Sequence, residues 1–183
     1  LCAALFLSFV GLYIPFFYIV IYARTELGLS EDLSFYLLSL MNASSAFGRI
    51  VPGCLADRFG PIPIMALCTF GAAVLLYSWA AISNLAGIIV FCILFSFFSG
   101  AVVSLPSAVV AELVPNLKYI GTWMGMSFPF CGFGLLIGNP IAGALVDIPG
   151  SNFTHASVFG GSMVMAAAVV LGMLQASKSI SEK

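Results

Sequence analysis

The stretch from Gly48 to Pro61, GRIVPGCLADRFGP, gathers Arg49, Asp57 and Arg58 out of only six basic and seven acidic residues in a 183-residue chain that is 62% apolar. Glycines and prolines stand among these charges, and such residues punctuate apolar segments. The stretch therefore reads as the end of one apolar helix and the tight turn into the next. Gly48 and Gly53 permit close helix contact, Gly60 can take the positive φ of a tight turn, and Pro61 or Pro63 suits the first turn of the following helix. Asp57 and Arg58 place a carboxylate and a guanidinium where a helix N-terminus or an opposite charge can bind them.

Outward from this turn the chain is apolar almost throughout. Mean hydropathy is +1.16 and charged residues make up 7%, against roughly 25% in soluble domains. This is the composition of an integral membrane protein. A net charge of -1 and a pI near 5.6 provide no basic surface for phosphates, which excludes nucleic acid as a partner. Cys2, Cys54, Cys68, Cys92 and Cys131 lie in or beside apolar stretches without CxxC spacing, so they read as small packing residues; no metal and no cofactor is expected. The chain opens on Leu1 in an apolar run without a charged leader, and the expectation is a piece of a longer polypeptide.

Uncharged runs cover residues 1 to 23, 33 to 48, 59 to 111, 119 to 146 and 148 to 177. A crossing needs about 20 apolar residues. The third run is too long for one crossing and must fold back at ISNLAG, 82 to 87. Six transmembrane helices are expected, near 2–23, 33–54, 62–82, 86–112, 120–145 and 157–177, followed by a cytoplasmic tail, 178–183. With both termini inside, Arg49, Arg58, Lys118, Lys178 and Lys183 fall on the cytoplasmic side and only Arg24 outside, as retention of basic residues demands. The sequon Asn152-Phe153-Thr154 then lies in an outer loop, where Asn152 could be glycosylated.

GRIVPGCLADRFG resembles the GxxxDRxG loop signature of the major facilitator superfamily. GLYIPFFYI (11–19), NASSAFGRIVPG (42–53), FFSGAVVSLPSAVVAEL (97–113) and GTWMGMSFPFCGFGLLIGNPIAGAL (121–145) together resemble its fungal monocarboxylate-porter-like branch. The resemblance implies an all-α fold, half of a twelve-helix porter built as a 3+3 inverted repeat, with the N-terminal six-helix half absent from this chain as its partner. It implies alternating access around a solute held near the bilayer midplane. It also implies that Gly48, Gly53, Asp57, Arg58 and Gly60 form a gate, in which Asp57 meets a helix end or an Arg of the other half when the cytoplasmic side is shut. A solvated turn is the plainer alternative.

Ser39, Asn42, Ser45 and Arg49 recur at offsets of three, three and four residues, which puts them on one helix face. Polar groups inside a membrane usually turn toward a bundle interior or a wet cavity, so this face is the expected substrate path. The resemblance places Arg49, four residues before Gly53, at the position associated with the substrate carboxylate. Snorkelling of Arg49 to headgroups is the alternative. Related animal porters carry an Asp one turn earlier, where this chain has Ser45; proton coupling, and with it symport, is in doubt.

Tyr13 and Tyr18 offer hydroxyls to the same path, while Tyr22 reads as an interfacial anchor. Helix four carries Ser99, Gly100, Ser104, Pro106 and Ser107, and helix five carries Pro129 and Pro140; the three prolines are expected kinks. Phe91, Phe95, Phe97 and Phe98 read as lipid contacts. The pairs Gly121/Gly125 and Gly134/Gly138 suggest close helix packing. Glu112 is expected either to be solvated or to pair with Arg58 or Arg49.

Catalysis has no support: His155 is the sole histidine, and no two carboxylates share a transmembrane face. The expected function is secondary transport of a small organic solute, a monocarboxylate or related anion, possible proton cotransport included. A non-transporting half is the alternative, and a channel a more remote one. The plasma membrane is the expected location, with the vacuole as alternative.

Overall fold

A computed structural model of the chain describes residues 1–25, 27–82, 84–114, 116–146 and 153–181. Asn152 and Lys183 lie outside the described residues. The chain forms α1 (Cys2–Leu12), α2 (Ile14–Thr25), α3 (Glu31–Phe59), α4 (Pro61–Trp79), α5 (Leu85–Leu113), a 3-10 turn (Leu117–Tyr119), α6 (Ile120–Leu145) and α7 (Thr154–Ser181). α1 and α2 together make one long apolar rod. That rod, α4, α5, α6 and α7 are each long and apolar enough to cross a bilayer. α3 has the length, at 29 residues, but is the most polar of the set.

Local chemistry sets the helix ends. Ser30 caps α3, its hydroxyl accepting from the Leu33 amide, with Glu31 and Asp32 in the first turn, where acids complement the helix dipole. Asn84 caps α5 by accepting from the Gly87 amide at 2.8 Å. Gly60, at φ 89°, joins α3 to α4, and Pro61 opens α4. The hairpin is tighter than the sequence suggested. α3 runs through Pro52 to Phe59, so Asp57 and Arg58 belong to its last helical turn and Gly60 alone makes the connection.

The helices pack with an internal two-fold pattern. α1 lies against α6, α3 against α5, and α4 against α7; α4 also flanks α5 just as α7 flanks α1. Exchanging the triplet α1–α2, α3, α4 with the triplet α5, α6, α7 maps these contacts onto one another. This is the 3+3 organisation of an all-α membrane bundle. Glycine makes the central crossings possible. A Cβ at Gly48 would lie 2.0 Å from the Phe97 carbonyl oxygen, and one at Gly100 would lie 2.5 Å from that of Ser45. At the corresponding crossing, a Cβ at Gly138 would lie 2.0 Å from the Val10 oxygen, and one at Gly134 2.5 Å from that of Phe6. Backbones this close gain dispersion contact that no larger residue would allow. Gly53, Gly121 and Gly125 behave differently, since a Cβ on each would meet open space. Close packing at 121/125 and at Gly53 is therefore not found within this bundle.

The interruption of regular helix also falls elsewhere than expected. α5 and α6 continue through Pro106, Pro129 and Pro140. The break comes at Tyr13, between α1 and α2. Pro15 cannot donate to the carbonyl of Gly11, and its ring crowds that turn. Some of the aromatic residues, finally, are interior. Phe91 and Phe95 stack 5.4 Å apart and are buried, so they are core rather than lipid contacts. Tyr22 is buried as well, edge-on to Trp79 and Phe153.

Candidate functional site

Helix α3 carries the site, because it is the most polar of the membrane-length helices and contributes Asn42, Ser45 and Arg49 to one cavity lining. Its crossing with α5 is held by Gly48 and Gly100 and by the Ser44 hydroxyl, which donates to the Ile93 carbonyl at 2.6 Å. Beside the crossing lies a cavity of about 160 Å³ lined by Leu12, Tyr13, Phe16, Asn42, Ser45, Arg49, Ser99 and Val103. The break between α1 and α2 delivers Tyr13 and Phe16, α3 delivers Asn42, Ser45 and Arg49, and α5 delivers Ser99 and Val103.

The polar residues are not equivalent. The Asn42 amide donates to the Leu38 carbonyl at 3.0 Å, and the Ser99 hydroxyl to that of Ser96 at 3.2 Å. Tyr13, Ser45 and Arg49 have no hydrogen-bond or ion-pair partner among the described residues. Three donors without a protein partner thus border one small space. The lining holds no carboxylate.

Arg49 borders a second space as well. A groove of about 330 Å³ between α3 and α5 is lined by Arg49, Gly53, Asp57 and Ser104 together with apolar residues. It extends toward the hairpin end of the bundle. The guanidinium therefore stands between the inner cavity and this groove. Asp57 is exposed and without an ion-pair partner among the described residues. An acid in the last turn of a helix is disfavoured by that helix's own dipole, so Asp57 gains from any donor brought to it.

Other expected residues lie apart. Ser39 bonds back to the Phe35 carbonyl at 3.2 Å and does not line the cavity. Tyr18 donates to the Asn139 carbonyl at 3.2 Å, tying α2 to α6. Glu112 pairs with Lys178, joining the ends of α5 and α7, and not with Arg58 or Arg49. A Cβ on Gly60 would lie 3.7 Å from the Glu112 carboxylate, so this pair sits over the hairpin turn. Phe16 belongs to the cavity and was not singled out from sequence. Its spacing of three from Tyr13, across Pro15, was the available signal.

A bundle of long apolar helices in two interlocked triplets, with a polar-lined cavity at a glycine-tight crossing, is the build of an integral membrane protein of the transporter class. Residues 1–181 match the family profile of the Major Facilitator Superfamily, and the chain belongs to that superfamily. It is 38% identical over 165 residues to the aspyridones efflux protein apdF of Emericella nidulans, which covers 90% of this chain and 33% of apdF. The MFS transporter asaE of Aspergillus flavus is 38% identical, over 85% of this chain and 35% of its own length. The agnestins efflux protein AgnL12 of Paecilomyces divaricatus is 35% identical, over 93% of this chain and 39% of its own. The chain spans between a third and two fifths of the length of these curated relatives. They are fungal efflux proteins and transporters by name, which widens the monocarboxylate-porter resemblance to transport within the superfamily. The superfamily's members are transporters and not enzymes.

Proposed function

We propose that the chain is the C-terminal six-helix half of a twelve-helix secondary transporter that moves a small organic anion outward by alternating access. The observation that carries this reading is the set of donors on Tyr13, Ser45 and Arg49, unpartnered among the described residues and bordering one cavity. Ser45 is buried, Tyr13 half-buried and Arg49 exposed, so the three hydroxyl and guanidinium donors converge on a space that remains open to an acceptor. A guanidinium holds a carboxylate through two parallel hydrogen bonds and stays charged at any working pH, which favours a monocarboxylate or related anion. The efflux named for apdF and AgnL12 supports the outward direction and the plasma membrane over the vacuole.

Retention of basic residues supports a cytoplasmic hairpin end and cytoplasmic termini, with Arg49, Arg58, Lys118 and Lys178 inside and Arg24 outside. The anion then enters along the groove past Asp57 and reaches the inner cavity at Arg49 as this half rocks against an N-terminal half. Asp57 latches the closed cytoplasmic side by meeting a helix end or an Arg of that half. Proton cotransport takes its carboxylate from outside this cavity.

Uptake of radiolabelled monocarboxylates into inside-out vesicles bearing the full-length transporter tests the reading. Arg49→Lys is expected to cut apparent affinity about tenfold or more, the scale of a lost charge-assisted bond. Full affinity in Arg49→Lys would exclude the two-pronged grip and leave Arg49 as a snorkelling residue. Residues 1–183 expressed alone are expected to insert without uptake; transport by the isolated chain would make six helices the working unit.

A further inference from the structure

Resting on the anion reading above, we propose that the solute carries an aromatic ring beside its acidic group, with the ring seated on Tyr13 and Phe16 and the acid on Arg49. The cavity has two unlike walls. Arg49, Ser45 and Asn42 make one, and the rings of Tyr13 and Phe16, 5.7 Å apart and tilted by 41°, contribute to the other. Both rings are half-buried, so each keeps surface that the protein does not cover.

The ring wall is braced from behind. Phe16 lies 6.2 Å from Phe95, Phe95 stacks on Phe91 at 5.4 Å, and Phe91 stacks on Trp79 at 5.7 Å. Phe95, Phe91 and Trp79 are all buried, and Phe9 supports Tyr13 at 5.9 Å. Side chains held in this way cannot fold away to make a smooth aliphatic wall. They present fixed faces and edges, and a flat ring meets these in offset or edge-to-face geometry. Size agrees. A cavity of roughly 150 Å³ takes up benzene, and this one offers about 160 Å³ with its cation at the rim. A short aliphatic acid would satisfy Arg49 and leave the uncovered surface of the two rings unused.

Binding to the purified full-length transporter, followed by calorimetry, tests the inference with 3-phenylpropanoate, 3-cyclohexylpropanoate and 3-phenylpropanamide. The cyclohexyl acid buries at least as much apolar area, so a preference for the phenyl acid reports ring geometry and not burial. Phenylpropanoate is expected to bind about three- to tenfold more tightly than the cyclohexyl acid, and the amide at least tenfold more weakly than either acid. Phe16→Leu is expected to remove the preference and bring the two acids to equal affinity. Tyr13→Leu provides the same comparison should Phe16→Leu fail to elute as a folded species. Equal binding of the two acids by the unaltered protein, still lost in Arg49→Gln, would overturn the aromatic inference and leave the anion reading standing. An amide that binds as well as its acid would overturn the anion reading itself. Binding of neither acid would overturn both.

Discussion

The crossing of α3 with α5 and the crossing of α1 with α6 occupy equivalent places in the two triplets; both hold polar residues, Ser8 and Asn139 at the second, yet only the first carries a charge. Both are packed through glycine, one from each helix at the first crossing and two from α6 at the second. In each, two glycines bring one helix onto the backbone of the other, with a hypothetical Cβ at 2.0 Å and 2.5 Å from a carbonyl oxygen. Around Gly48 and Gly100 stand Asn42, Ser45, Ser99 and Arg49. Beside Gly134 and Gly138 stand Phe6, Phe9 and Val10, and an apolar groove lined by Ala3, Phe6, Phe130, Phe133 and Ile137 borders that helix pair. A repeated packing device can thus be loaded with charge in one copy and left uncharged in the other, because the glycines set backbone distance without dictating the neighbouring side chains.

The comparison can be broken most forcefully at the glycines. Gly48→Ala and Gly138→Ala each drive a methyl into a facing carbonyl, and both are expected to destabilise by at least about 3 kcal/mol, the upper range of overpacking. Thermal unfolding of the full-length protein in detergent should show similar losses for the two. A marked inequality would mean that the crossings are not equivalent. Gly53→Ala supplies the contrast, since its Cβ meets open space. Within this half it should be neutral or stabilising by about 1 kcal/mol, as Gly→Ala is in an unobstructed helix.

Arg49→Gln separates chemistry from packing. Anion transport should fall about tenfold or more while the unfolding temperature barely moves, whereas Ile137→Gln in the apolar groove of the other crossing should leave anion affinity unchanged. Substrate binding to the two variants decides this. Asp57→Asn comes next. Loss of a charge-to-helix-end contact is worth at most about 2 kcal/mol, so transport should slow by up to tens-fold at normal surface level. Unchanged uptake would remove the latch. Glu112→Gln is expected to have the smallest effect of the charge changes, about 1 kcal/mol or less, because its pair with Lys178 is partly exposed. Repeating the unfolding measurement in high salt should shrink that difference further.

The class of this protein was legible in its residues because hydropathy is summed along the chain and needs no partner. Long uncharged runs, a scarcity of charge and the GxxxDRxG stretch decided that it is an all-α membrane bundle of facilitator type. The turn at Gly60 was equally local, for a positive φ is a property of one residue. Side-chain partnership was not legible, since it depends on which helices meet. Arg49, Ser45 and Asn42 share a face by periodicity alone, but Ser39 shares that face too and lines nothing in the cavity. Glu112 found Lys178, a residue 66 positions away in sequence. Phe91 and Phe95 turned from lipid contacts into core, and the helix break fell at Tyr13 and not at Pro106. Composition and local stereochemistry therefore determined the membrane fold and its turns, while only the packing of one triplet against the other decided which donors were left without a partner and where the cavity formed around them.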